Sequence, residues 1–239
     1  MDVPERRARL IVSELPAPGA RIRLAREEAA HVRARRLREG DTVRLVDGSS
    51  READGRVVSL RGGVVEVLVG EARPAPGVGP ELVLLVAAVR TERLSWLVEK
   101  ATELQATRIV LLRTARTQGF RAAESVVPRL QRVARAAAKQ SDQARWPEIG
   151  GPIDFFEALT LCGSLARFLL DFEGEDLASQ TRGGGAVLVG PEGGWTGEER
   201  VAATARGWLP ASLPAGKLRA ETAAIAALVL LRAATKEKT

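Results

Sequence analysis

Two segments marked by glycine and proline carry the residues best placed to do chemistry. The first is AVLVGPEGGWTGEE, residues 186–199. Its apolar run ends at Gly190, Pro191 stiffens the turn, and Gly193-Gly194 permits positive φ and close approach of a ligand to the backbone. A helix begins at once, because Thr196-Gly-Glu-Glu199 has the spacing of a capping box. In open α/β sheets, ligands bind beyond the carboxyl ends of strands, where such a loop must sit. The pattern is neither GxGxxG nor GxxxxGK(S/T), which excludes a standard dinucleotide site or P-loop. A tight strand-to-helix turn without a ligand is the plain alternative. The second segment is SLPAGKLRAETAA, residues 212–224. A short apolar strand runs into a Pro/Gly loop, then Leu218-Arg219, then a helix with Glu221 in its acid-favouring first turn. Arg219 stands at the mouth of the same sheet edge; a plain surface arginine is the alternative.

Loops of this kind need strands to hold them. After residue 80 the sequence alternates apolar strands with helices. LVLLVAAV (82–89) is continuously apolar, as a strand buried on both faces should be. Leu94, Leu97, Val98, Ala101 and Leu104 recur at helical spacing. RIVLL (108–112), RFLLD (167–171) and AVLVG (186–190) read as strands, GWLPASLP holds a short one, and ETAAIAALVLLRAA (221–234) is a closing helix. Ser125–Lys139 reads as a helix with Pro128 near its start, where proline is tolerated. The pattern predicts an α/β domain with a mainly parallel sheet. Before residue 70 the runs are shorter and richer in β-branched residues: RIRL (21–24), TVRLVD (42–47), RVVSL (56–60) and VVEVLVG (64–70). EEAAHVRARRL between the first two looks helical. PAPGVGP (74–80) is the break between the two regions.

Composition narrows the function classes. The chain has 239 residues, 45% hydrophobic and 28% charged, which is globular. A single cysteine, Cys162, excludes a disulfide framework and a multi-cysteine metal site. A single histidine, His31, excludes a histidine-cluster metal site and argues against His-based triads; it reads better as a packing residue. No metal is expected. No run reaches the length of a membrane span and no signal peptide is apparent, so a cytoplasmic protein is the expectation.

Net charge is +6, and 31 of the 36 basic residues are Arg. Residues 90–145 carry 12 basic and 5 acidic groups, whereas 146–239 carry 9 and 12. HVRARRLR (31–38) packs four Arg into eight positions, with Arg33 and Arg36 among them. Arg129, Arg132, Arg135 and Lys139 fall on one helix face, beside an apolar stripe of Leu130, Val133, Ala134 and Ala137. A basic stripe of this kind can track a phosphate backbone; an ordinary amphipathic surface helix is the alternative. Basic residues are not interleaved with aromatics and Tyr is absent, so recognition by phosphate contact and shape is expected rather than base stacking.

Taken together, GPEGG and a loop ending LRAET some 20 residues later resemble the SPOUT superfamily of S-adenosylmethionine (SAM) methyltransferases, and within it the RsmE type. The resemblance covers nearly the whole chain. His31, Arg36-Leu37, Gly40-Asp41 and Asp47-Gly48 match the N-terminal PUA-like module of that family. Lys100-Ala-Thr-Glu-Leu104, Arg116, Ala137–Ser141 and Arg145–Ile149 match its central signatures. The resemblance implies a PUA-like β-barrel RNA-binding domain over 1–72, a linker over 73–80, and a trefoil-knotted α/β methyltransferase domain over 81–239. It implies a homodimer that methylates N(3) of a uridine in 16S ribosomal RNA of the small subunit. It implies a SAM pocket formed by Leu170 and the loop that follows it, and by Gly190, Pro191, Glu192, Gly193, Gly194, Leu213, Lys217 and Leu218. Arg219 would stabilise charge developing on the uracil carbonyls, and Glu192 would help to seat the substrate or the cofactor amine. Arg33, Arg36, Arg116, Arg129, Arg132, Arg135, Lys139 and Arg145 would contact RNA.

The chain departs from the family pattern in the second loop. Where L-G-x-R-I-L-R is usual, it has Leu213-Pro-Ala-Gly-Lys-Leu-Arg219, so Pro214, Gly216 and Lys217 are changed and the last Arg is kept. Gln143 stands where an Arg is usual. Pro214 removes a backbone donor from a cofactor loop. These changes keep open a second reading, a catalytically weakened RNA-binding paralogue of the same fold. A third is an α/β enzyme acting on a small phosphorylated metabolite.

Overall fold

A computed structural model describes residues 7–77, 79–87, 91–117 and 126–234. The chain forms two compact units. One takes in the residues up to 78 together with 138–145, and the other takes in 79–137 and 146 onward.

The first unit is built on strands β1 (Arg9–Ile11), β2 (Arg21–Arg23), β3 (Thr42–Val46), β4 (Arg51–Arg61) and β5 (Val64–Pro74), with helix α1 (Arg26–Ala34). They form one mixed sheet in the order β1-β3-β4-β5-β2, in which β1 and β3 are parallel and the other pairs antiparallel. Gly62 and Gly63 join β4 to β5 with φ of 58° and 78°. Two consecutive positive φ values are what a two-residue hairpin turn of the right twist demands. Val43, Leu45, Val57, Val65 and Val67 alternate inward along their strands and close on Leu10 and on Val32 of α1. Residues 138–145 join this unit through side chains and backbone. The Lys139 ammonium donates to Glu28 Oε1 at 2.7 Å, Arg9 pairs with Asp142, and Arg145 bridges to Gly48 and Ser49.

The second unit contains β6 (Leu82–Ala87), α2 (Thr91–Glu103), β7 (Arg108–Arg113), α3 (Val126–Gln140, its last residues counted with the first unit), β8 (Glu148–Asp154), α4 (Phe155–Ala158), β9 (Arg167–Asp176), α5 (Leu177–Gln180), β10 (Gly185–Val189), α6 (Gly197–Ala205), β11 (Leu209–Ser212) and α7 (Ala220–Ala233). Its six strands are all parallel, in the order β11-β9-β10-β6-β7-β8. Every residue of the central strands β6 and β10 is buried. Alternation divides them between two cores. Leu82, Leu84 and Val86 face Leu94, Leu97, Leu130 and Leu228, whereas Val83 and Leu85 face Phe155, Trp195 and Trp208. Helices on both faces explain why these strands read as unbroken apolar runs.

Most elements lie where periodicity places them. Residues 88–89 of the first expected strand and Ser125 of the expected helix fall outside the described residues. Strands β1 and β8 and the short helices α4 and α5 have no counterpart in the sequence reading. Strand β8 is EIGGPID at the sheet edge, where Pro is allowed but the propensity signal is weak.

Candidate functional site

The carboxyl ends of β9, β10 and β11 meet at one open cavity of about 270 Å³. Three segments line it: Leu170–Phe172, Val189–Trp195, and Ala211–Leu218 without Pro214; Ala220, Ala223, Arg116 and Arg200 complete the wall. The two loops read from the sequence as chemically informative, about twenty residues apart, thus face the same space. The reason is strand order: β9 pairs with both β10 and β11, and parallel pairing puts all three carboxyl ends on one side.

Each loop is fixed by identifiable contacts. In the glycine loop, Gly194 has φ of 69° and its N–H donates to Pro191 O at 2.8 Å. At Gly190 an added Cβ would lie 2.9 Å from the Trp195 ring, so the backbone approaches the indole as only Gly permits. Trp195 is 3% exposed, and its Nε1 donates to Leu170 O at 2.9 Å, tying the glycine loop to β9. Trp195 is thus a buried residue of the cavity wall. The capping box at Thr196 and Glu199 is present, and the buried Glu199 carboxylate also accepts from Ala115 N–H at 2.9 Å. That places Arg116 on the loop, where Nη1 donates to Gly193 O at 2.6 Å.

Charges at the cavity are mostly paired. Asp171 pairs with Arg200. Arg93 on α2 donates to Glu192 Oε1 at 2.8 Å, and its Nε is 3.5 Å from Oε1 of the buried Glu221. One arginine therefore reaches both the glycine loop and the first turn of α7. Lys217 and Arg219 have no ion-pair partner among the described residues. Lys217 lines the cavity; Arg219 is the exposed N-cap residue of α7, between the lining residues Leu218 and Ala220 but not itself in the lining, and its side chain makes no capping bond. Pro214 is exposed and off the lining, so its missing N–H is not taken from the cavity wall. Gly216 has nothing within 4 Å of where a Cβ would be, so the loop is open there.

All nine residues expected at a cofactor pocket therefore line one cavity. The eight residues expected to meet RNA are divided between the two units, Arg33, Arg36, Lys139 and Arg145 in the first and Arg116, Arg129, Arg132 and Arg135 in the second. Arg129, Arg132 and Arg135 are exposed along α3, with the Arg135 guanidinium 5.8 Å from the Trp146 ring centroid. Arg116 sits in the cavity wall. Arg33 is exposed and donates to Gly63 O at 2.8 Å, and Arg36 is exposed with φ of 55°. Lys139 is held by Glu28, and Arg145 by its bridge to Gly48 and Ser49. His31 has its pKa lowered by burial and by Lys139, against the opposing pull of Glu28, which keeps it neutral near pH 7. Arg93 and Arg200 are site residues that sequence reasoning missed, and no local signal marked them. Asp171 and Phe172 belong to the loop after Leu170, which the resemblance assigns to the pocket. Among the described residues no group of three or more His, Cys, Asp or Glu side chains could hold a metal ion, and no helix is long and apolar enough to cross a membrane.

Apolar walls from Leu170, Val189, Leu213 and Leu218, with a glycine cradle that a Cβ would fill, suit a flat heterocycle bound through backbone groups. Comparison with known proteins agrees with that chemistry. The model of an RNA methyltransferase domain matches residues 78–232, and that of an RNA methyltransferase PUA domain matches residues 24–68. A ribosomal RNA small subunit methyltransferase E of Mycobacterium bovis is 30% identical, covering 91% of this chain and 88% of the relative. Its counterpart in Rickettsia conorii is 28% identical and covers 94% of both. A methyltransferase of Legionella pneumophila, solved with SAM bound, superposes with a TM-score of 0.81 at 25% identity, over 96% of this chain and 98% of the other.

Proposed function

The chain belongs to the RNA methyltransferase family, with a SPOUT-type α/β domain following a PUA-like one, and we propose that it is a SAM-dependent methyltransferase acting on N(3) of a uridine in 16S ribosomal RNA. The observation that carries this reading is the convergence of Leu170, Gly190–Gly194 and Leu213–Leu218 on one cavity. The relatives named above, matched over most of their length, are named as methyltransferases of small-subunit ribosomal RNA, which supports the reaction and the RNA class. The weakened-paralogue reading loses the support it drew from Pro214, which lies off the lining, and from Gly216, where a Cβ would meet nothing within 4 Å, whereas Lys217 does line the cavity.

SAM bound in the cavity supplies an electrophilic methyl group. The protein's share is to hold the acceptor in line with that methyl and to exclude other geometries, which accounts for much of the rate in such transfers. N(3) would take the methyl as its imide proton passes to solvent water, leaving the methyl donor as a neutral thioether; negative charge then grows on the flanking uracil carbonyls, and a cation aimed there lowers the barrier. Arg219, exposed and unpaired beside the cavity, is proposed for that role. Glu192 is proposed to act through Arg93 by fixing the glycine loop. The exposed Arg129, Arg132 and Arg135 of α3 are proposed as phosphate contacts, together with Arg33 and Arg36 of the PUA-like unit. Trp96 on α2 and Val229 on α7 are each 44% exposed, and these helices pack together. That apolar surface supports a proposed homodimer. A cytoplasmic location follows from a ribosomal substrate.

The test is calorimetric titration with SAM followed by transfer of labelled methyl to unmodified small subunits. Micromolar binding and incorporation at a uridine are expected. Folded protein that binds no SAM with or without RNA would refute the reading. Arg219→Ala should lower kcat about 10²–10³-fold, the range for removing one charge-stabilising donor, with SAM affinity unchanged.

A further inference from the structure

Strand β9 leaves its neighbour for five residues. Leu169 is opposite Pro210, and the next pair is Glu175 with Ala211, so residues 170–174 have no register partner in β11. Both roots of this bulge are fixed. Trp195 Nε1 holds the Leu170 carbonyl at one end. At the other, Gly174 crosses β11 so closely that a Cβ would lie 2.3 Å from Ala211 N. Bulges that re-aim side chains recur beside active sites. Here the re-aimed residue is Phe172, which lines the cavity and is 72% exposed, more than any other aromatic among the described residues. A ring held in water at a cavity mouth offers a free π-face, on which any base can stack.

Charge supplies a second, independent observation. Asp171 is matched by Arg200 and Glu192 by Arg93, which leaves Lys217 as the cavity-lining ammonium without an ion partner among the described residues. A cation repels a sulfonium and attracts a phosphate, and the salt dependence of KM distinguishes a phosphate partner from the carboxylate of the cofactor.

We propose that Phe172 is the platform on which the target pyrimidine stacks, and that Lys217 takes a phosphate of the same RNA strand. The proposal rests on the methyl-transfer reading and assigns its RNA side. The ring holds the base beside the cofactor's methyl, and the ammonium sets the register of the backbone.

Full-length Phe172→Ala, Phe172→Trp and Lys217→Met test it. For Phe172→Ala, kcat/KM for unmodified small subunits should fall about 10–100-fold, the range for loss of one base–aromatic stack, with the SAM Kd within twofold of wild type. Phe172→Trp should retain most of the activity. Lys217→Met should reduce the slope of log KM against log salt by about one. An equal loss of SAM affinity in Phe172→Ala would overturn the proposal by assigning the ring to the cofactor. Conversion of that variant from dimer to monomer in sedimentation would assign the ring to a second copy. Wild-type kinetics would leave the ring no role. Should the wild type transfer no methyl group, the parent reading fails separately. The extra emission of Phe172→Trp over wild type, titrated with a uridine-containing oligonucleotide, then still decides: quenching supports the platform and its absence overturns it.

Discussion

Arg93→Ala removes one guanidinium from two carboxylates of very different worth. Toward Glu192, whose side chain is 65% exposed, the contact is a surface ion pair of about 0–1 kcal/mol. Toward Glu221 it is something else. That side chain is 9% exposed, its Oε2 has no hydrogen-bond partner, and Arg93 is the cation within reach among the described residues. Truncating one member of a fully buried pair strands the other charge and costs about 3–5 kcal/mol. Arg93 is 31% exposed and its Nε lies 3.5 Å away, so water screens part of that cost. The expected loss is about 1–3 kcal/mol, nearly all of it through Glu221. For a chain of this length that is a fall in Tm of about 2–12 °C. Thermal and urea unfolding of Arg93→Ala, Glu192→Gln, Glu221→Gln and the Arg93→Ala/Glu221→Gln double variant measure it. Glu192→Gln should cost little, and adding Glu221→Gln should recover most of the Arg93→Ala loss by removing the stranded charge. The reasoning fails if Glu192→Gln destabilises as much as Arg93→Ala, or if the double variant is no more stable than Arg93→Ala.

Gly190→Ala puts a methyl 2.9 Å from the buried Trp195 ring, which must then shift and loosen its bond to Leu170. Overpacking of this kind costs about 1–3 kcal/mol, so SAM affinity measured by calorimetry should weaken about fivefold or more. In the first unit, burial pushes Asp54 up, but the hydrogen bond from Arg73 and the charges of Arg44, Arg73 and Arg7 outweigh it and hold the carboxyl below its usual range. The unfolded chain therefore takes up that proton first. The stability Asp54 supplies is present above about pH 4 and is lost as pH falls through its lower folded pKa, so acid unfolding should be shallower in Asp54→Asn. Burial raises the Cys162 thiol, with Arg108 and Arg167 opposing and Glu81 adding to it. Iodoacetamide at pH 7.5 (a chosen condition, about one unit below a free thiol) should label Cys162 slowly in the native protein and fast in denaturant; equal rates would contradict its burial.

Much of this protein is legible in its amino-acid sequence. Continuous apolar runs at 82–87 and 186–189 signal strands covered on both faces, because a solvated face would have forced alternation. The capping box at Thr196 fixes the start of α6 from four residues, since its hydrogen bonds are local. Gly190–Gly194 and Leu213–Leu218 can be recognised as ligand loops because glycine and proline specify backbone geometry residue by residue. Strands β1 and β8 are invisible there because they are short or contain Gly and Pro, and their pairing comes from distant partners.

Local chemistry does not encode which strand lies beside which. The order β11-β9-β10-β6-β7-β8 brings three loops to one cavity and is a property of long-range packing. The same is true of charge. In the sequence Arg116, Lys139 and Glu192 count as free groups, but folding gives each a partner: a carbonyl of the glycine loop, Glu28 and Arg93. The bulge that turns Phe172 toward the cavity depends on the register between β9 and β11, and register exists only once two strands have met. Sequence alone thus determined most of the longer elements, the loop chemistry and the basic character of the chain, all of which depend on near neighbours. Tertiary structure alone decided which residues share the cavity and which charges remain free, because both depend on contacts between segments far apart in the chain.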